Sequence, residues 1–257
     1  MQMNCKLSSI YYSPIKSLSF VNKPSCEIKK GIGIINDRIF ALSRNLELDQ
    51  AKIIEKEAHK RKLINFLTLK NTPVLNKYNF SYKENKLILI KGGKELIKIE
   101  LKDASLLIEK LMKLEDTLKG PTFLLMNKQI PFFDTTNSNN ISNTISLINL
   151  KSIEDFEKKI NHKVEFERFR ANFYVEGIKA WDECNWIGRQ IKINNTSFEV
   201  IKSIPRCSAT NLQPYNDVSD INLPSLLKKK YGNIDMGIYL RPLNDGMVNI
   251  GEKVNLI

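Results

Sequence analysis

Phe198-Glu199-Val200-Ile201-Lys202-Ser203-Ile204-Pro205-Arg206-Cys207-Ser208-Ala209-Thr210-Asn211 is the stretch on which the reading of this chain turns. Its apolar and β-branched residues from Phe198 to Ser203 predict a strand. Pro205, Arg206 and Cys207 come at its end, where a rigid strand gives way to a loop and functional groups commonly sit. A cation beside a thiol favours the thiolate, which attacks electrophiles and binds soft metals. The competing reading, which local composition alone favours, is a small packed hydrophobe.

Working outward, Gly188-Arg189 leads into a hairpin turning at Asn194-Asn195. Downstream, Leu223 to Tyr231 predicts a helix stopped by Gly232. Met236 to Leu240, Met247 to Ile250 and Val254 to Ile257 predict short strands, the first two joined through an Asp245-Gly246 turn. Upstream, Val164-Glu165-Phe166 alternates towards Arg168-Phe169-Arg170-Ala171-Asn172. Read as an extended run, this places Arg170 and Asn172 on one strand face, where the pair could hold an anion. Ser146 to Leu150 predicts a strand, followed by a helix from Ser152 with Asp155 in capping-box spacing. The polar run Asp134 to Thr144, which includes Ser142 and Asn143, predicts a loop rich in donors and acceptors.

In the first half, the strand Lys6 to Tyr12 runs into Ser13-Pro14-Ile15-Lys16-Ser17, where proline ends the pairing and leaves Lys16 and Ser17 on a turn. A lysine followed by a hydroxyl can bind an oxyanion. Ser25 to Lys29 and Ile39 to Leu42 predict strands around Asn36-Asp37-Arg38. Asp37 and Arg38 are either a surface ion pair of little worth or a pair whose arginine faces a pocket. Asp49 to about Leu67 suits an amphipathic or partly helical excursion, with His59 on its surface. Leu87 to Ile90 and Leu96 to Ile99 flank Gly92-Gly93, a hairpin signal. Asp103 to Leu114 predicts a helix capped by Asp103.

Many short strands with few helices indicate a β-rich α+β protein built as a barrel or sandwich, not a doubly wound sheet. The 257 residues, 42% hydrophobic and 26% charged, suit a soluble globular protein of one or two domains. No apolar run is long enough to span a bilayer, and the start at Met1 leads into no signal-peptide segment, so no integral membrane segment and a cytoplasmic location are expected. Cys5, Cys26, Cys184 and Cys207 form no C-x-x-C pair, which argues against zinc and iron-sulfur sites. The net charge of +12 invites nucleic acid. Only eight of the cations are arginines, however, and the lysines are scattered among Asn and Ile. No nucleic-acid partner is therefore expected, and an acidic protein partner suits the charge better.

Taken together, Tyr12-Ser13-Pro14-Ile15-Lys16-Ser17, Asn36-Asp37-Arg38, Ser146 to Leu150, Phe169-Arg170-Ala171-Asn172, Trp186-Ile187-Gly188, Arg206 to Asn211 and Val248 to Val254 resemble, in order, the motifs of the MOSC family. The resemblance extends to members with an N-terminal MOSC-associated β-barrel, such as the amidoxime-reducing components. It implies a β-barrel domain over 1–116 and a MOSC domain, a pyruvate-kinase-type barrel, over 117–257. It further implies a molybdopterin-type molybdenum cofactor ligated by Cys207, the catalytic residue. The pterin and its phosphate would be held by Lys16, Ser17, Arg38, Ser142, Asn143, Arg170, Asn172, Arg206, Ser208 and Thr210. Pro205, Ala171 and the Asp49 to Phe66 segment depart from the family pattern. The implied activity is reduction of a small N-hydroxylated compound, or an N- or S-oxide. Electrons would come from a separate donor protein of ferredoxin, flavoprotein or cytochrome type. The alternative from the same cysteine is a persulfide-carrying sulfur carrier or a cofactor-handling protein.

Overall fold

A computed structural model describes residues 4–133 and 144–257. Its first strands are β1 (Lys6–Tyr12), β2 (Val21–Lys23), β3 (Ser25–Lys29), β4 (Gly33–Ile34) and β5 (Phe40–Leu42). Helix α1 (Leu48–Lys56) comes next, then a meander of β6 (Tyr78–Lys83), β7 (Lys86–Lys91) and β8 (Lys94–Glu100), then α2 (Ala104–Leu114) and β9 (Leu124–Met126). The second half runs β10 (Ile145–Asn149), α3 (Leu150–Ile160), β11 (Phe173–Glu176), β12 (Gln190–Ile193), β13 (Thr196–Pro205), α4 (Leu223–Tyr231), β14 (Asp235–Pro242), β15 (Gly246–Asn249) and β16 (Val254–Leu256).

The fold is the expected β-rich α+β class. Its main sheet has eight strands in the order β16-β12-β13-β14-β10-β11-β1-β2, with β10 and β11 the parallel pair and the rest antiparallel. Among the described residues no ladder closes this sheet into a barrel. Its ends are tied by one antiparallel bridge, Lys6 to Lys253, and by the Val254 amide donating to the Cys5 carbonyl at 2.9 Å. A buried cluster along this sheet includes Leu7, Ile10, Leu147, Phe173, Phe198, Val200 and Ile238. Each such side chain contributes about 1.5–3 kcal/mol on burial.

All five residues of β10 are buried, which its apolar run requires of a strand covered on both faces. Leu147 enters that cluster, while Ile148 packs with Phe156 of α3 and Leu227 of α4. Helix α3 starts two residues before the expected Ser152. Asn149 is the cap, its side-chain oxygen accepting from the Lys151 amide, because the β10 chain reaches Asn149 already extended. Gly237 has φ +80°, and a Cβ there would sit 2.4 Å from the Leu147 carbonyl oxygen. Only glycine therefore lets β14 lie so close to β10.

The Gly92-Gly93 hairpin forms as expected, with φ +56° and +77°, the twist a two-residue turn needs. Asp103 precedes α2 without bonding its amides. The 49–67 excursion is only partly helical: α1 ends at Lys56, and short 3-10 turns succeed it.

Strand pairing crosses residue 116 in both directions. β1 and β2 belong to the eight-stranded sheet, β15 pairs with β3, and β9 pairs with β5. Leu212 inserts into the core of the first half beside Phe40, Leu69 and Leu75. No described helix is long and apolar enough to cross a membrane.

Candidate functional site

β13 carries the decisive stretch. Its register slips between Val200 and Lys202 and again between Ser203 and Pro205 against β14. Such bulges bend a strand and re-aim the side chains beyond them. Pro205, the last paired residue, has no N–H to donate to the ladder, and the chain turns into the 3-10 helix Ser208–Asn211. Thr210 fixes that turn: its amide and its hydroxyl donate to the Cys207 carbonyl at 3.0 and 2.9 Å. The Cys207 thiol is free and half-buried.

Cys207 opens onto a cleft of about 200 Å³ that also collects Lys16, Ser17, Arg38, Arg170, Arg206 and Thr210. These sites lie far apart in sequence, and backbone bonding assembles them. The Lys16 amide donates to the Phe40 carbonyl at 2.8 Å, and the Arg38 amide to the Ser13 carbonyl at 2.7 Å, so the 13–17 turn is laced to the entry of β5. Lys16 Nζ reaches the Phe132 and Phe133 carbonyls at 3.4 and 3.3 Å. Arg38 stacks on Phe133, its guanidinium carbon 4.3 Å from the ring centre.

Asp37 and Arg38 are not a surface pair. Asp37 is 1% exposed. One carboxylate oxygen accepts from Arg38 Nη2 at 2.5 Å, Arg38 Nε at 3.0 Å and Asn172 Nδ2 at 3.1 Å. Burial pushes the carboxyl pKa up, opposed by the Arg38 charge.

The strand-face reading of Arg170 and Asn172 is corrected. Arg170 has φ +50° and ends the 3-10 helix Phe166–Phe169, so its side chain leaves in a direction no strand residue would take. It reaches the cleft, with Nη2 donating to the Leu18 carbonyl at 2.7 Å and its guanidinium carbon 4.6 Å from the Phe20 ring centre. Burial and the facing charge of Arg38 pull its pKa down to about 10, so it stays a cation at neutral pH. Asn172 is fully buried beneath Arg38 and lies outside the cleft lining. Its oxygen accepts from Arg38 Nη2 at 3.2 Å and from the Ser146 amide and hydroxyl at 3.1 and 3.0 Å.

Arg206 spends its donors inside the protein. Nε donates to the Met236 carbonyl at 2.9 Å, Nη1 to the Phe169 carbonyl at 2.8 Å, and Nη2 again to Met236. Burial lowers its pKa. Ser208 is exposed and is not a lining residue. Ser142 and Asn143 lie outside the described residues.

Ser17, Arg38 and Arg170 all have positive φ, at +72°, +51° and +50°. Left-handed backbone costs a non-glycine residue about 1–2 kcal/mol, and its concentration around one cleft is what a functional site shows. Sequence reasoning passed over Phe20, Leu63, Thr68, Leu69, Lys70 and Tyr239, which complete the walls. Nothing local marks them, since their place depends on the tertiary path. The other thiols suit packing: burial raises Cys5 to about 12 and Cys184 to about 11, and it raises Cys26 further.

Two side chains hold the loop beyond Cys207. Asn76 donates to the Gln213 and Asn216 carbonyls, each at 2.8 Å, while its oxygen accepts from Ser19 Oγ at 3.3 Å and Arg170 Nη1 at 3.5 Å. Asn76→Ala strands these partly buried partners and is expected to lower unfolding free energy by about 2 kcal/mol in urea titrations. Arg168 donates to the Asn211 carbonyl at 3.0 Å and grips Asp220 with two bonds, 2.7 and 3.0 Å. Arg168 in turn holds the Asp220 carboxyl down to about 2. A depressed carboxylate stabilises the fold above its ordinary pKa and loses that contribution as pH falls through the folded value. Wild type is expected to lose stability relative to Asp220→Asn between about pH 4 and about pH 2, by thermal melts across that window. Parallel pH curves would remove this role.

Residues 134–255 match the MOSC domain family. The rat mitochondrial amidoxime reducing component 2 (Rattus norvegicus) is 27% identical over 122 residues, covering 43% of this chain and 36% of that protein. The macaque protein of the same name (Macaca fascicularis) is 26% identical over 165 residues, 57% of this chain and 47% of its own. The matched region thus spans between a third and a half of these relatives. Among solved structures, the YUAD protein from Bacillus subtilis aligns over 100% of this chain and 97% of its own, with TM-score 0.47 and 12% identity. YiiM from Geobacillus stearothermophilus aligns over 44% of this chain and 53% of its own, with TM-score 0.35 and 19% identity. Residues 134–255 are thus identified with the MOSC domain family, and the chain has distant homology to the mitochondrial amidoxime-reducing components.

Proposed function

We propose that the cleft beside Cys207 holds a molybdopterin-type molybdenum cofactor and that the protein reduces small N-hydroxylated compounds, or N- or S-oxides. The observation that carries this reading is the donor set. One thiol and the inward-lying cations Lys16, Arg38, Arg170 and Arg206 line the cleft, with no carboxylate among the lining residues. A soft ligand together with cations suits a soft metal on a phosphorylated organic anion. Among the described residues no group of three or more His, Cys, Asp and Glu could hold a metal by itself. When bound, the cofactor supplies the two-electron chemistry.

The chain's own residues do the rest. Cys207 offers its sulfur at the end of β13, where the Thr210 bonds keep its backbone in place. Lys16, Arg38 and Arg170 present positive charge to the phosphate side, their backbones pre-set in turns and left-handed conformations. Asn172 positions these walls from behind, while Arg206, its donors spent on the Met236 and Phe169 carbonyls, adds its charge to the wall itself. Leu63, Leu69, Phe169 and Ile204 keep part of the cleft apolar and limit water. Electrons come from a separate donor of ferredoxin, flavoprotein or cytochrome type.

Protein purified from a host that makes the cofactor is expected to carry about one molybdenum atom per chain and to reduce benzamidoxime with a chemically reduced electron donor. A cyanide-labile sulfur on Cys207 in molybdenum-free protein, without turnover, would replace this reading with the persulfide carrier.

A further inference from the structure

The five cations of the cleft are not equivalent. Lys16, Arg38, Arg170 and Arg206 all have their heads engaged, on backbone carbonyls or on Asp37. Lys70 is exposed at the rim and, among the described residues, makes no hydrogen bond or ion pair. Two residues away, Thr68 is 6% exposed and lines the same cleft, and its hydroxyl likewise has no partner among the described residues. A hydroxyl on a buried residue that opens to a cleft, with no protein partner of its own, is placed to donate to a ligand atom.

Both side chains stand on a turn that is held rigid. Asn71 Oδ1 accepts from the Thr68 amide at 2.7 Å and from Thr72 Oγ1 at 2.8 Å, while Nδ2 donates to the Phe66 carbonyl at 3.1 Å. The Thr72 amide closes the turn on the Thr68 carbonyl at 2.7 Å. Leu67 and Leu69 anchor it in the core of the first half. Such fixing reduces the ordering cost of binding. Leu63 and Leu69 set an apolar wall beside the two polar groups.

We propose that the Thr68–Asn71 turn recognises an anionic group on the substrate, so that the preferred substrates are carboxylate-bearing N-hydroxylated compounds with an apolar body. Thr68 donates its hydroxyl hydrogen to the carboxylate, and Lys70 pairs with its charge. The inference rests on the reductase reading of the same cleft. The cofactor phosphate is the other anion in question. Its cations are the engaged, inward-lying Arg38 and Arg170, whereas a rim ammonium meets what enters and leaves.

The test compares benzamidoxime with 4-carboxybenzamidoxime on cofactor-loaded wild type, Lys70→Glu and Thr68→Val, the last keeping the side-chain shape. Wild type is expected to show the lower KM for the carboxylate. Lys70→Glu should shrink that preference roughly tenfold, as charge reversal of a rim pair does, while the ratio of the two kcat values and the molybdenum content stay at wild-type levels. Thr68→Val should shrink it less. Calorimetric titration of both compounds supplies a binding readout independent of turnover. An unchanged KM ratio in Lys70→Glu overturns the inference and leaves the reductase reading standing. Loss of molybdenum from that variant also overturns it, by assigning Lys70 to the cofactor. Carboxylate-selective binding that Lys70→Glu abolishes, with no turnover of either compound, upholds the anion site and sinks the reductase reading.

Discussion

Cys207→Ser is expected to lose bound molybdenum, and with it benzamidoxime reduction, by roughly a hundredfold or more. Supporting residues around a metal already account for 10–100-fold in affinity, and the ligand itself should exceed them. An alcohol is a poor soft-metal ligand and is not ionised near neutral pH, so the cleft keeps its cations and loses its anchor. The fold should not suffer. Cys207 is half-buried at the end of a strand, and Thr210 bonds its carbonyl rather than its sulfur. The substitution should move unfolding free energy by no more than about 0.5 kcal/mol. Cys184→Ser is the matched control, a half-buried thiol away from the cleft. Metal analysis together with a urea titration checks both statements. Full metal content in Cys207→Ser would end the ligand assignment.

Arg38→Met is expected to produce the largest loss of stability, about 3–5 kcal/mol, because it leaves the Asp37 carboxylate buried without its charge partner. Asp37 would retain only the Asn172 amide and the longer Ser13 amide contact at 3.4 Å. The damage should spread, since Arg38 also bonds Asn172, which ties β1, β10 and β11 through Tyr11 and Ser146. Adding Asp37→Asn to Arg38→Met should restore a large part of the loss by removing the stranded charge. Urea midpoints of the two singles and the double measure this. A single variant within about 1 kcal/mol of wild type would mean that the pair behaves as a surface bridge.

Much of the local structure was legible because local rules decide it. The glycine pair at 92–93 requires the left-handed dihedrals that a two-residue hairpin uses, and the 223–231 helix carries its own stop in Gly232. The motifs also named seven residues that line the cleft: Lys16, Ser17, Arg38, Arg170, Arg206, Cys207 and Thr210. Where the reading failed, a tertiary contact had replaced a local preference. Residues 168–172 look extended by pattern. They fold into a 3-10 turn ended by a left-handed Arg170, because Arg168 is drawn to Asp220 and Asn211, and Arg170 to Leu18. The Thr68–Asn71 turn is a similar case, since its polar groups count only because the chain brings them to the cleft.

By itself the sequence determined most of the strands and helices and placed a thiol just beyond a strand end. Periodicity, turn residues and caps act within a few residues of one another. Only the tertiary structure decided that β1 pairs with β11, that Asp37 is buried, that Asn172 lies beneath Arg38, that Arg206 spends its donors on backbone carbonyls, and that Lys70 makes no hydrogen bond or ion pair among the described residues. Those outcomes depend on which distant surfaces bury each other and on whether each buried polar group finds a partner.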